Sequence, residues 1–110
     1  MKLPNGERAI VEIDKLRRYC LDPAHPRGRH KARVFLSALG LSAADADVLR
    51  AALVRAAANA EAAPGQSDRY GTRYTFTCEV RHGTRTALVR CHWIVRRNEE
   101  LPRLVTCYVA

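Results

Sequence analysis

The chain has 110 residues, 47% of them hydrophobic, and a formal net charge of +8 from 19 lysines and arginines against 11 acids. That length fits one domain spanning 1–110, and the apolar fraction excludes a disordered chain. No apolar run approaches the roughly 20 residues of a membrane span, and Met1–Arg8 is polar, so no membrane partner and no cleavable leader are expected. The expected setting is the cytoplasm, a setting compatible with delivery as an effector by a route that leaves no signal.

Composition narrows the chemistry further. Only Lys2, Lys15 and Lys31 are lysines; the other cations are arginines, whose planar fork suits phosphates and stacked bases. A balance this basic points to a polyanion such as RNA. Cys20, Cys78, Cys91 and Cys107 lack the short spacing of a zinc or redox motif, so free thiols are expected. Carboxylates are few and scattered, and no Gly-rich phosphate loop exists, so neither a metal nor another cofactor is called for.

In chain order, Leu3-Pro4-Asn5-Gly6 is a turn signal, and Ala9–Glu12 reads as a short strand or an extended lead-in. Asp14 is the expected N-cap of a short helix over Lys15–Leu21, with Leu16, Tyr19 and Cys20 on one side. Pro23 and Pro26 break it. A second helix is predicted over Arg27–Leu39, with Ala32, Phe35, Leu36 and Leu39 as its apolar stripe and Gly40 as a left-handed end. Ser42 and Asp45 have capping-box spacing at the start of a third. Its expected buried stripe is Val48, Leu49, Ala52, Leu53, Ala56, Ala57 and Ala60, and Ala63–Asp68 then reads as a polar linker.

From Tyr70 the period becomes two. Tyr74, Phe76, Cys78 and Val80 alternate with polar residues, then Ala87, Val89, Cys91, Trp93 and Val95, then Val105, Cys107 and Val109. His82-Gly83-Thr84 is a turn, where His82 is expected to matter little, and Arg97–Pro102 is a loop. The predicted fold is α+β, with two to three N-terminal helices on one face of a three- to four-stranded antiparallel sheet.

Two surfaces are left for function. The open sheet face carries Arg73, Thr75 and Thr77, then Arg90, His92 and Arg96, then Thr106 and Tyr108, with Glu79 its only acid. Cations and rings on an exposed sheet are a recurrent RNA platform. The second is His25-Pro26-Arg27-Gly28-Arg29-His30-Lys31, where imidazoles and cations surround a tight loop at a helix start suited to a phosphate. Cys91 adjoins His92, but neighbouring strand residues point to opposite faces, so they do not form a nucleophile pair.

Leu3-Pro4-Asn5, the segment from Lys15 to Leu21, the run from His25 to Phe35 with Leu39-Gly40, and Pro102-Arg103-Leu104-Val105-Thr106-Cys107-Tyr108 together resemble a family of short bacterial proteins of unknown function. The element order and residue types are also similar to the BECR superfamily, the barnase–EndoU–colicin–RelE ribonucleases. That resemblance implies helices on a four-stranded sheet, with Ala9–Glu12 as the missing strand. It also implies a metal-independent endoribonuclease of toxin type, held in check by an acidic antitoxin or immunity protein. His25 or His30, with His92, would carry protons. Arg27, Arg29, Lys31, Arg73, Arg90, Arg96 and Arg103 would hold RNA phosphates, and Thr106 and Tyr108 would orient them. The alternative is a basic nucleic-acid-binding or protein-interaction module without catalysis.

Overall fold

In a computed structural model, which describes residues 1–110, the period-two segments form three long strands, and the chain ahead of them supplies three helices. The fold is α+β, as the periodicities require. The four strands are β1 (Ala63–Asp68), β2 (Gly71–His82), β3 (Arg85–Arg96) and β4 (Arg103–Val109), antiparallel in the order β1-β2-β3-β4. β2 and β3 pair without interruption from Gly71↔Arg96 to His82↔Arg85. Gly83 makes the turn with a φ of 62°, a left-handed conformation that tight hairpins need.

Alternation puts Phe76, Val80, Val89, Cys91 and Trp93 on the face under the helices, all buried. Leu16, Phe35, Leu39, Leu49 and Leu53 meet them in one cluster of 20 buried residues. Trp93 is its largest member and stacks at a tilt on Phe76, with ring centres 5.6 Å apart.

The strand count reaches four by a route the sequence pattern does not suggest. Ala63–Asp68, expected as a linker, is the edge strand β1. It is exposed along most of its length, and its register slips between Pro64 and Ser67. Such an edge is held by backbone bonds and by polar pairs, Ser67 with Thr72 and Asp68 with Arg73, so no apolar alternation marks it, and proline is tolerated there. Ala9–Glu12 does not become a strand. It is an extended lead-in with a single parallel bridge, Ile10↔Arg103, at the free edge of β4.

The helices also begin differently from expectation. α1 (Ile13–Lys15) is capped by Glu12, and Asp14 lies inside its first turn. Half-buried Ile13 packs on the core and draws the helix start forward. α1 runs straight into a π-helical turn, Leu16–Cys20, closed by the Leu21 N–H bonding to the Leu16 carbonyl at 2.8 Å. α2 (Arg29–Leu39) starts two residues later than predicted, because Pro26-Arg27-Gly28 is tied into a turn. It ends at Gly40 with a φ of 67°, as expected.

The Ser42–Asp45 capping box forms, with both Ser42 groups bonding to one Asp45 oxygen at 2.9 and 3.2 Å. It leads through a short 3-10 turn into α3 (Ala46–Asn59). α2 packs on β3 and β4, α3 reaches β2, and the π turn packs on β4. Two residues of the predicted stripes lie outside the core: Leu36 is 55% exposed and Val48 43%.

Candidate functional site

The loop before α2 is organised by one imidazole. His25 Nδ1 accepts the backbone N–H groups of Arg27 and Gly28, each at 3.0 Å. With that lone pair occupied, neutral His25 carries its proton on Nε2. Gly28 brings the start of α2 against the π turn so closely that a Cβ there would overlap the Tyr19 carbonyl oxygen. This approach seats the Tyr19 ring edge-on to His25, with centres 4.8 Å apart. It also brings Lys31 within reach: its Nζ donates to the Tyr19 hydroxyl at 3.2 Å.

Lys31 joins this loop to the sheet. Its Nζ is 5.2 Å from the Tyr19 ring centre and 6.0 Å from that of Tyr108. Both distances are within cation–π range. Register does the rest. Thr75, His92 and Thr106 lie side by side across β2, β3 and β4, and Thr77, Arg90 and Tyr108 form the next row. His92 Nε2 lies 3.1 Å from the Tyr108 hydroxyl, and the two rings stack with centres 5.6 Å apart. A slip in register after His92 leaves Val105 bulged beside a small hollow of about 210 Å³ that His92, Arg73 and Thr106 help to line.

The electrostatics favour a neutral imidazole. Partial burial lowers the His92 pKa below the ordinary histidine value, and the Arg90 and Lys31 charges lower it further. The unprotonated form, which can accept a proton, is therefore favoured more than in a free histidine. His25, Tyr19, Lys31, Tyr108 and His92 form one chain of contacts linking the two segments that the sequence singled out separately.

The other sequence candidates divide. Arg27 shares an open hollow of about 420 Å³ with Lys15, Arg18, Tyr19 and His25, next to Asp14. Arg90 and Arg96 are exposed on the sheet. Arg73 is held by Asp68 at 2.7 Å, and Arg103 by Glu99 and Glu12 at 3.1 Å each, so these two charges are already neutralised. Arg29 lines a groove elsewhere on α2, and His30 is exposed and makes no hydrogen bond to the cluster. Thr106 lies 3.9 Å from the Cys20 sulfur.

All four thiols are free. Hydrogen bonding from Cys107 brings Cys20 down to about 7, but Cys20 is fully buried and out of reach of a substrate on the open face. No group of three or more His, Cys, Asp or Glu converges as a metal site.

Sequence reasoning missed Tyr19, assigned to the core side of a helix. The signal was present in its setting, an aromatic between Arg18 and Cys20 in a segment with Lys15 and Arg17, where a ring is useful for stacking. His82, expected to have little effect on cleavage, has a structural contact. Its Nδ1 lies 2.8 Å from the Leu39 carbonyl, which can only accept, so the ring donates to the last turn of α2.

No helix is long and apolar enough to cross a membrane. No curated protein matches the chain, and no solved structure matches it. One family model does, over residues 2–110, and it is described as a domain of unknown function (DUF6883). The chain belongs to that family of domains.

Proposed function

We propose that the protein is a metal-independent endoribonuclease that uses the ribose 2′-OH as nucleophile. The observation that carries this reading is the convergence of a neutral histidine, two tyrosines and a lysine at the β4 side of the sheet. Tyr108 would take the 2′-OH proton as its own proton passes to His92 Nε2. The 2′-oxygen attacks phosphorus, and the bond to the 5′-oxygen breaks. The Lys31 ammonium, steadied by Tyr19, would protonate that leaving oxygen. Arg90 and the His25 Nε2–H would stabilise charge on the phosphoryl oxygens. The products are a 2′,3′-cyclic phosphate and a 5′-hydroxyl. The hollow beside Arg27, Lys15 and Arg18 offers a continuation for the strand, with the Tyr19 ring available for stacking. The resemblance of the element order and residue types to the BECR ribonucleases motivates this reading, and such an enzyme would need an acidic antitoxin or immunity protein.

A second reading is an RNA-binding module without turnover. It is favoured by one observation: His25 spends its Nδ1 lone pair on the loop backbone, which leaves His92 the only histidine of the cluster placed to accept a proton. The test is cleavage of RNA in excess EDTA, with a fully 2′-O-methylated strand as control. General acid–base groups contribute about 10²–10⁴-fold. His92→Gln, Tyr108→Phe and Lys31→Met should each slow cleavage by that order while single-strand binding survives. Binding without any cleavage would establish the module instead. Cleavage unaffected by all three changes would refute the enzyme reading.

A further inference from the structure

α2 was expected to bury four apolar positions, and it buries three. Ala32, Phe35 and Leu39 are in the core, whereas Leu36 is 55% exposed. It is not stranded on a convex surface. Leu36 helps to line a groove of about 360 Å³ whose walls include Ala32 and two core leucines, Leu21 and Leu41. Positions 29, 32, 33 and 36 follow the i, i+3, i+4, i+7 spacing of one helix side. Arg29 and Arg33 therefore border the same groove. Neither forms an ion pair. The lining contains no carboxylate and no aromatic ring.

We infer that this groove is a docking site for an acidic amphipathic protein segment, one that seats an aliphatic side chain against Leu36 and places carboxylates on Arg29 and Arg33. Charge decides the partner. Two unpaired guanidinium groups beside an apolar floor, on a chain of net +8, complement a segment with carboxylates flanking a leucine-like anchor. RNA fits less well, because base binding without sequence readout relies on rings for stacking and none lines the groove. Lys31 belongs to the opposite side of α2, so an occupied groove leaves the Tyr19–Lys31–Tyr108 cluster open. The inference therefore stands independently of the ribonuclease reading.

The probes are three: a synthetic helical peptide with leucines on one side and glutamates on the other, the same peptide with lysine for glutamate, and a single-stranded RNA. Binding to the intact chain is read by fluorescence anisotropy. The glutamate peptide should bind in a salt-sensitive manner and the lysine peptide should not. Leu36→Asp should weaken the glutamate peptide by about tenfold or more, the scale of a lost anchor residue. Arg29→Glu with Arg33→Glu should reverse the preference towards the lysine peptide, while Leu36→Asp should leave RNA affinity within about twofold of that of the unaltered protein. All these side chains are exposed or on the groove rim, and unchanged thermal midpoints would show that the variants fold. Failure of the glutamate peptide to bind, or equal binding to all three proteins, overturns the inference. Loss of RNA binding in Leu36→Asp with the peptide unaffected makes RNA the occupant and overturns it as well.

Discussion

Arg90 and His92 are two residues apart on β3, so their side chains share a face, and Lys31 approaches the same imidazole from α2. Like charges so placed oppose protonation of His92, with burial the larger cause. Folded His92 therefore binds its proton less tightly than the unfolded chain does. It contributes stability above the ordinary histidine value of about 6.5, and that contribution is lost as pH falls through the folded value. An NMR titration should place His92 below about 6.5. Arg90→Gln should raise it part of the way back, since burial remains. A wild-type value at or above the ordinary one would remove the basis for His92 as proton acceptor. Much of this site could be read in the sequence: period two places His92, Thr106 and Tyr108 on one face. What could not be read was pairing at a distance. Asp68 and Glu12 neutralise Arg73 and Arg103 through contacts set by β1 and by the lead-in before α1, two segments that carry no periodic signal.

α2 is secured at both ends by histidine, and the two ends use opposite chemistry. His25 accepts backbone N–H groups ahead of the first turn, and His82 donates to the Leu39 carbonyl in the last. His82→Ala should therefore lower stability, with a hydrogen bond of this kind worth about 0.5–1.5 kcal/mol. For a domain of this size that is a fall of roughly 2–6 °C in the thermal midpoint. A midpoint unchanged within error would mean that the bond contributes nothing in solution. The capping box and Gly40 were legible because caps are local chemistry. The π turn was not, because an α-helix and a π turn share side-chain preferences and differ only in which carbonyl accepts. β1 was hidden for a different reason: an exposed edge strand needs no apolar residue to hold it.

Across the whole molecule the +8 charge is unevenly available. Arg73 and Arg103 are bound to carboxylates, whereas Arg90 and Arg96 stand exposed on the sheet without an acidic partner. Single-strand RNA affinity should fall with salt, and each phosphate contact removed should flatten the log–log slope by about 0.7. Arg90→Ala with Arg96→Ala should flatten it, and Arg73→Ala with Arg103→Ala should leave the slope unchanged while lowering the thermal midpoint. The reverse pattern would put the polyanion on another surface. The π turn that carries Tyr19 sets where that ring points. A π turn holds one residue more than an α-helix needs for the same advance. Removing Arg17 or Arg18 would let the segment relax to α geometry and turn everything on one side of the gap by about 100° relative to the other. Tyr19 would then swing away from Lys31, and Cys20 and Leu21 would have to repack against Leu16. A chain one residue shorter here should retain the architecture and lose the bridge between loop and sheet, which makes the length of this short segment a marker for whether the Tyr19–Lys31 contact is kept.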